Sequence, residues 1–450
     1  MFLPGLLLEA LERRLAGAPI AIHRVRVKGD VPAAGLGRAE APLPPVELRG
    51  CIVEGLLDLS ECCVTRLVLF ACGLRGLRLT NLMSSFDVDL TLSTIDSELP
   101  MMNARIGGNL VMNGTYVDAR PGDPDSEDPR VRAATGPFRA VSADGIDVRG
   151  DVFLRPAGNQ RGFIARGTVA FPGATVRGDV SFGGAQLEAG RGPPDANGVR
   201  PVFDPALVLD RAQIGGGLAG QAQNGRRLDT IGWMSLVGAR IGGDVILAGA
   251  DLGGDEGVAI NADGAHIGQS PSLDCMPGAG GPQDPDGLLQ CRIAGVVRLI
   301  DARIGSQLSL RGARLVAADE AIAGGGARID GGLFVVPYRQ GSERDPVATE
   351  IDGTLDFPDA TIGYCRLDGC RLGTGLGRTE PFAKAAVFDG ATIRTALVVN
   401  LAPASRGLFS LESAHVGNRP DIDVERWGAP PRLEGDGSWS GVWLELDELS

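Results

Sequence analysis

The chain has 450 residues, of which 67 are glycine, 44% are hydrophobic and only 5% are aromatic. This composition is too apolar for a disordered chain and lacks the glycine period of collagen, so it favours short strands joined by tight turns. The formal net charge of −13, from 43 basic and 56 acidic residues, argues against nucleic acid as a partner of the whole molecule.

The N-terminal segment, residues 1–49, is predicted to cap a repetitive structure. Residues 3–16 place leucines at positions 6, 7, 8, 11 and 15 with charged residues between them, and Pro4 lies near the start, so they predict a short amphipathic helix. No basic segment precedes this apolar run, which makes it a poor signal peptide. No apolar run is long enough to span a bilayer, and we expect a cytoplasmic protein outside the membrane.

A repeated unit starts at Cys51 and recurs as far as Val416. Each copy contains a small residue, an outward polar residue and an inward apolar residue, followed by a glycine-rich corner and a second short apolar segment. Residues 238–252 (GARIGGDVILAGADL) contain two copies that lie 11 residues apart. Over residues 51–117 the inward apolar members, with Phe86 assigned to one of these positions, lie nine to twelve residues apart, so two copies give a turn of about 22 residues.

The repeat predicts an all-β fold, a right-handed parallel β-helix (β-solenoid) over residues 50–417 with coils of about 22 residues. Period-two alternation puts the small and apolar residues on one face of a strand and the middle residue on the other. A single unit buries too little to be stable, whereas stacked units share a continuous core. We expect glycine at the corner because it adopts backbone angles that a residue with Cβ resists.

Residues 418–450 lose the repeat and contain three of the four tryptophans, which predicts either a C-terminal cap or the start of a further domain. Insertions before this point are predicted to leave one edge of the solenoid, where loops on a rigid scaffold often bind partners. Neutral variation at a tolerant corner is the alternative explanation. The insertions are residues 118–138, 188–201, 253–258, 276–289, 316–321, 337–350 and 373–384.

Three aspartates share a position just before the second short strand of their units, namely Asp151, Asp179 and Asp244. Asp151 and Asp179 are predicted to lie on adjacent coils, which would give two carboxylates about 5 Å apart, the separation found in retaining glycosidases. They are therefore the candidate catalytic residues of a polysaccharide-acting enzyme. Aspartate beside a glycine corner is also common turn chemistry, so a structural role is the alternative.

The eight cysteines do not show the spacing of a zinc or redox motif. Five of them occupy the small-residue position of the repeat and are predicted to pack as small hydrophobic residues: Cys51, Cys62, Cys72, Cys291 and Cys370. Cys51 and Cys72 are one coil apart, close enough in principle for a disulfide. Cys275 and Cys291 flank a loop and are the better candidate pair.

Other sequence features predict no cofactor and no metal site. His266 and His415 occupy the outward position of the repeat and are predicted to lie on the surface. Residues 215–220 match the GxGxxG pattern, but the sequence after them does not predict the helix that a dinucleotide site needs. The acidic loops at 123–128 and 284–287 are weak calcium candidates, with a solvated run of charges as the favoured interpretation.

The repeat, as written in residues 238–252, resembles that of a bacterial β-solenoid family common in actinobacteria and often labelled "membrane-associated oxidoreductase". The resemblance covers residues 50–417 and implies the solenoid fold and, through the label, redox activity at a membrane. The sequence has no nicotinamide, flavin, haem or metal motif that would supply this activity. Pentapeptide-repeat proteins are more distant cousins, and some of them mimic DNA and bind gyrase.

We therefore predict a non-enzymatic β-solenoid scaffold or protein-interaction module whose loop edge or outer face binds another protein. One alternative is a polysaccharide-acting enzyme that uses Asp151 and Asp179. The other is an acidic DNA mimic that binds a DNA-handling enzyme, although arginine in many outward positions argues against it. Assembly of the chain with further copies of itself stays open.

Overall fold

The computed structural model describes residues 4–13, 19–119, 138–158, 161–189, 204–278, 287–340, 345–373, 383–403, 405–418, 420–423, 432–433 and 439–445. These residues are nearly all β, with one short helix, and their strands pair in long parallel sheets. The predicted parallel β-helix is therefore confirmed. The acidic loop at 123–128, most of the loop at 284–287 and Trp427 lie outside the described residues.

One coil in the most regular region shows how the chain is wound. Thr94 lies opposite Tyr116 in a parallel pair, and Val88 lies opposite Leu110, so equivalent residues are 22 positions apart, as predicted. Each coil contributes to four parallel ladders, in which neighbouring strands are about 4.8 Å apart. The four strands of this coil are Thr94–Ile95, Leu99–Pro100, Arg105–Ile106 and Leu110–Val111.

The chain divides into two compact units, unit 1 with residues 1–219 and 228–235 and unit 2 with residues 220–227 and 236–450. In unit 1 the first ladder contains Cys63–Val64, Met83–Ser84, Arg105–Ile106, Asp147–Val148, Thr175–Val176 and Gln213–Ile214. The second contains Ile20–His23, Val46–Arg49, Leu67–Phe70, Val88–Asp89, Leu110–Val111, Val152–Phe153, Val180–Ser181 and Leu218–Ala219. The third contains Arg26–Val27, Ile52–Asp58, Gly73–Arg78, Thr94–Ile95, Tyr116–Asp118, Ile164–Arg166, Gln186–Glu188 and Asp229–Ile231. The fourth contains Val31–Pro32, Leu99–Pro100, Arg139–Ser142, Thr168–Ala170, Leu207–Val208 and Met234–Ser235, together with the later halves of Ile52–Asp58 and Gly73–Arg78.

Unit 2 repeats this arrangement with longer strands that bend from one ladder into the next. Its first two ladders contain Arg240–Ile241, Val245–Ile246, His266–Ile267, Pro271–Ser272, Arg303–Ile304, Leu308–Ser309, Arg328–Val335, Thr361–Asp368, Thr392–Ile393, Leu397–Asn400, His415–Val416 and Asp421–Ile422. Its third and fourth ladders contain Asp251–Asn261, Arg292–Arg298, Arg314–Ala323, Glu350–Asp356, Arg371–Leu372, Lys384–Val387, Arg406–Ser410 and Trp439–Glu445. Three short strands pair antiparallel outside the ladders: Met276–Pro277 with Leu288–Leu289, and Arg432–Leu433 with Trp439–Glu445.

The N-terminal helix α1 (Pro4–Arg13) lies within the predicted range of 3–16. Leu7 and Leu11, one helical turn apart, are buried, and the helix contacts the strand Val31–Pro32. The strand Ile20–His23 already pairs in register with Val46–Arg49. Residues before Cys51 therefore take part in the ladders.

The core follows the predicted alternation along most of the first ladder. Ile106 and Ile304 are buried, whereas Arg105 and Arg303, one residue earlier, are exposed. The assignment of Phe86 to an inward position is wrong, because Met83 pairs with Arg105 and the inward position of that coil is therefore Ser84. Phe86 falls after the strand and is 59% exposed.

Small polar residues at the start of the third ladder have a role that their size alone does not explain. The side chains of Cys72, Ser93 and Thr115 each donate a hydrogen bond to a backbone carbonyl of the preceding coil, at 3.3, 2.5 and 2.7 Å. Ser93 also accepts a bond from the backbone N–H of Cys72 at 3.0 Å. These positions therefore link successive coils by hydrogen bonds as well as by packing.

The paired glycines after the inward isoleucine are required for a different reason from the predicted one. A Cβ at Gly107 would lie 2.2 Å from the carbonyl oxygen of Ser85 on the preceding coil, so close stacking excludes a side chain there. The positive φ occurs instead at the corners before the first and third ladders, for example at Gly145, where φ is 64°, and at Gly114, where φ is 63°.

Aromatic stacking across three coils holds the fourth ladder of unit 2 together. Phe357, Phe388 and Phe409 are fully buried, and the ring centroid of Phe388 lies 5.8 Å from each of the other two. Such pairs contribute beyond the area that they bury. Phe388 is the central member and contacts both neighbours.

We expect Phe388→Ala to lower the free energy of unfolding by ~3–5 kcal/mol, because it leaves a cavity and removes both ring contacts. Urea unfolding followed by circular dichroism measures this change. The control is Val316→Ala in the same unit, where the side chain is 40% exposed and the expected change is within about 0.5 kcal/mol. Equal losses in the two variants would contradict the assignment of Phe388 to the core.

Candidate functional site

The two candidate catalytic aspartates lie on adjacent coils, as predicted, and stabilise the backbone of the glycine corners. Asp151 accepts a hydrogen bond at Oδ1 from the backbone N–H of Asp179 at 2.8 Å, and Asp179 accepts one from Gly217 at 2.7 Å. On the preceding coils, Asp87 accepts from Asn109 at 2.9 Å, and Asn109 accepts from Asp151 at 2.8 Å. We call Asp87, Asn109, Asp151 and Asp179 the aspartate ladder.

The aspartate ladder gives these side chains a structural role that needs no substrate. One carboxylate oxygen of each aspartate is held by the next coil, and Asn109 makes the same contact without a charge. In unit 2, Asp244 likewise accepts the backbone N–H of Ser270 at 2.9 Å. The turn chemistry considered as the alternative is therefore present, while catalysis by Asp151 and Asp179 stays a prediction.

The outward positions of the first ladder in unit 2 form a row of basic side chains. Arg240, His266, Arg303 and Arg328 lie opposite one another on successive coils, and all four are exposed. We call these four residues the basic row. The spacing of the parallel strands places one basic group about every 4.8 Å along it.

Two acidic residues near the basic row in sequence form ion pairs with arginines. Asp263 forms an ion pair with Arg298 at 2.7 Å. Asp330 accepts hydrogen bonds from Arg328 and Arg394, each at 2.9 Å, and these two arginines lower the pKa of its carboxyl group. Within the described part of the chain, Arg240 and Arg303 form no ion pair. The basic row therefore offers two free guanidinium groups, those of Arg240 and Arg303, on a protein whose net charge is −13.

All eight cysteines are described, buried and unbridged, so neither candidate disulfide is formed. The thiol of Cys72 donates to the carbonyl of Leu48, and that of Cys51 to the carbonyl of Ile22, rather than bonding to each other. Burial raises the pKa of both Cys62 and Cys72 to about 11, and it raises that of Cys291 further. These thiols are protonated and poorly reactive at neutral pH.

The remaining candidate residues do not assemble a metal or nucleotide site in the part of the chain that the structure describes. His266 and His415 lie on the exposed outward positions of the first ladder, as predicted. The described ranges contain no group of three or more histidine, cysteine or acidic side chains arranged to hold a metal ion. Gly215, Gly216 and Gly217 form an ordinary corner between Gln213–Ile214 and Leu218–Ala219, and Gly220 follows the second of these strands. Helix α1 is too short to cross a membrane, and no other described segment is helical.

The sequence predicts only part of what the structure shows at three features: the basic row, the aspartate ladder and the hydrogen-bonding cysteines. The repeat predicts arginine at many outward positions, whereas the alignment of these arginines on successive coils depends on the lengths of the insertions between them. The repeat predicts that Cys51 and Cys72 pack as small hydrophobic residues, and it does not predict their hydrogen bonds to backbone carbonyls. Serine and threonine at equivalent positions, such as Ser93 and Thr115, were a signal for this role.

We expect Asp179→Ala to lower the free energy of unfolding by ~1–3 kcal/mol, because the backbone N–H of Gly217 loses its partner. Asp179→Asn keeps an acceptor oxygen, as Asn109 does naturally, and is expected to stay within about 0.5 kcal/mol of the parent protein. Urea titration of the two variants measures the difference. If the asparagine and alanine variants are equally destabilised, the carboxylate has a role other than accepting this bond.

We expect the native protein to react only slowly with a disulfide-exchange reagent at about pH 8, because burial disfavours the thiolate form. After denaturation without a reducing agent, all eight thiols are expected to react. Absorbance of the released thiolate counts them in both states. A lower count in the denatured protein would reveal a disulfide, with Cys275 and Cys291 the first pair to map.

The comparisons with known proteins identify no relative of this chain. The chain matches no protein-family model, no curated protein sequence and no solved structure at a significant level. The resemblance to the actinobacterial solenoid family therefore stays a prediction. Function has to be argued from the surface that the coils present, because a fold alone does not determine an activity.

Proposed function

We propose that the protein is a non-enzymatic β-solenoid scaffold that binds an acidic segment of another protein through the basic row of unit 2. The observation that carries this proposal is the alignment of Arg240, His266, Arg303 and Arg328 on exposed positions of successive coils. Complementary charges increase association rates and favour one partner over others.

The strands beneath the basic row fix the positions from which its side chains extend. His266 and Arg303 each donate a backbone hydrogen bond at 2.8 Å to the preceding coil, as does Arg328. Their Cα atoms are therefore held in register before a partner arrives. Binding groups placed on rigid elements lose less conformational entropy on association than groups on flexible loops.

The charge of the rest of the molecule favours a short acidic segment as the partner. A long polyanion such as nucleic acid would extend beyond the basic row onto a protein with a net charge of −13. A short run of aspartate or glutamate in a partner protein matches the length of the row without meeting this repulsion. Arginine also suits carboxylates, because its guanidinium group donates two parallel hydrogen bonds.

The two alternative functions receive less support from the geometry. A polysaccharide-acting enzyme would need Asp151 and Asp179 for chemistry, and each already accepts a backbone hydrogen bond. A DNA mimic would need rows of acidic groups, whereas the first ladder of unit 2 presents Arg240 and Arg303. We therefore favour the scaffold.

We expect a fluorescent oligoglutamate peptide to bind the full chain at low salt, and Arg240→Gln and Arg303→Gln each to weaken binding by roughly twofold to fivefold. This estimate takes ~0.4–1 kcal/mol for an exposed charge pair. Fluorescence anisotropy measures the affinity, and added salt should weaken it further because exposed charges are screened.

The matched control for this experiment is Arg292→Gln, which removes an exposed arginine from the third ladder of the same unit. We expect its affinity for the peptide to equal that of the parent protein. Equal weakening by Arg292→Gln and Arg303→Gln would mean that the peptide responds to overall charge, and the basic row would then not be the binding surface.

A further inference from the structure

A cleft of about 610 Å³ lies in unit 1, on the outer side of the first ladder. Its floor includes the outward side chains of Met83, Arg105 and Asp147, which lie opposite one another on three successive coils. One wall is a tight turn at residues 38–41, closed by two backbone hydrogen bonds of 3.0 and 3.1 Å. Pro42 follows the turn and also lines the cleft.

The cleft is formed before any ligand arrives, because both its floor and its wall are held by backbone pairing. Leu43 donates a backbone hydrogen bond to Cys63 at 2.7 Å, and Cys63 donates one to Leu36 at 3.0 Å. These bonds attach the two ends of the turn to the first strand of the ladder. Preformed concave sites lose little free energy to rearrangement when a ligand binds.

Asp147 contributes a carboxylate to the lining of this cleft. Its Oδ1 atom is shielded from solvent and has no hydrogen-bond partner among the described residues. Arg105 is its neighbour on the ladder, yet the two side chains do not form an ion pair. The carboxylate of Asp147 also forms no ion pair with any described residue, so it is an acceptor that a ligand N–H group can use.

The cleft combines this acceptor with two cations and an apolar end. Arg105 and Arg149 both line it, are exposed, and form no ion pair with any described residue. Met83, Ala39 and Pro42 provide the apolar end. Among the residues that line the cleft, the charged ones are Arg105, Arg149 and Asp147, and they leave one net positive charge, which suits a monoanion.

We propose that this cleft binds a carboxylate that carries a neighbouring N–H donor and an apolar side chain, which is the chemistry of an apolar amino acid or of a peptide C-terminus. The carboxylate lies between Arg105 and Arg149, where guanidinium groups form strong charge-assisted hydrogen bonds. The N–H group donates to the carboxylate of Asp147, and the apolar side chain contacts Met83 and Pro42. This site is independent of the basic row, which lies in unit 2.

The test titrates three compounds of similar size into the full chain and follows binding by calorimetry or ligand-observed NMR. N-acetyl-L-leucine has the carboxylate and the amide N–H, 4-methylpentanoate lacks the amide, and N-acetyl-L-leucinamide lacks the carboxylate. We expect N-acetyl-L-leucine to bind with an affinity on the order of millimolar or better. The other two compounds should bind at least fivefold more weakly.

Two sets of variants assign the contacts. Arg105→Gln and Arg149→Gln should each weaken N-acetyl-L-leucine binding by about tenfold, as expected for a lost hydrogen bond to a charged group. Arg177→Gln is the matched control, because Arg177 occupies the position of Arg149 one coil further along and does not line the cleft. In Asp147→Ala, N-acetyl-L-leucine should bind no better than 4-methylpentanoate.

Binding of an amino acid and of a longer peptide can be separated with the same protein. Free leucine that binds as tightly as N-acetyl-L-leucine indicates an amino acid site, and tighter binding of N-acetylated di- and tripeptides ending in leucine indicates a peptide C-terminus. The proposal is overturned if the parent protein shows no saturable binding of any of these compounds. It is also overturned if Arg105→Gln and Arg177→Gln, checked for parental melting curves, have equal affinities.

Discussion

Parallel pairing between equivalent residues of successive coils is the constraint on which every other feature of the structure depends. The pairing of Arg105 with Asp147 on one coil and with Met83 on another fixes which side chains face outward together. Because side chains alternate along a strand, the same register turns Ile106 and Val148 into the core. The surface and the interior are therefore determined by one set of backbone hydrogen bonds.

Most of the fold could be predicted because one residue pattern encodes both its period and its inward face. Ile106, Ile241 and Ile304 are buried where the repeat places them. The error at Phe86 arose because an apolar residue stood near the expected spacing, while the strand pairing of Met83 with Arg105 puts Ser84 inward. Register is a property of neighbouring coils, and a single coil does not reveal it when its inward residue is polar.

The candidate sites were harder to predict because they depend on distant parts of the chain. Asp151 and Asp179 were correctly placed on adjacent coils, but their bonds to backbone N–H groups follow from the close approach of the glycine corners. The cleft needs the turn at residues 38–41 to lie beside Met83 and Arg105. That contact brings together residues far apart in the chain, and no local sequence pattern predicts it.

The aspartate ladder also bears on how such a chain changes length over generations. Asn109, Asp151 and Asp179 each accept a hydrogen bond at the side chain from the coil after and donate one through the backbone N–H to the coil before, so each of their coils has matching hydrogen-bonding groups on its two sides. A gene duplication or deletion that spans one whole coil joins matching faces and preserves all these bonds. A duplication or deletion that spans only part of a coil breaks these hydrogen bonds. We therefore expect selection to lengthen or shorten the protein by whole coils.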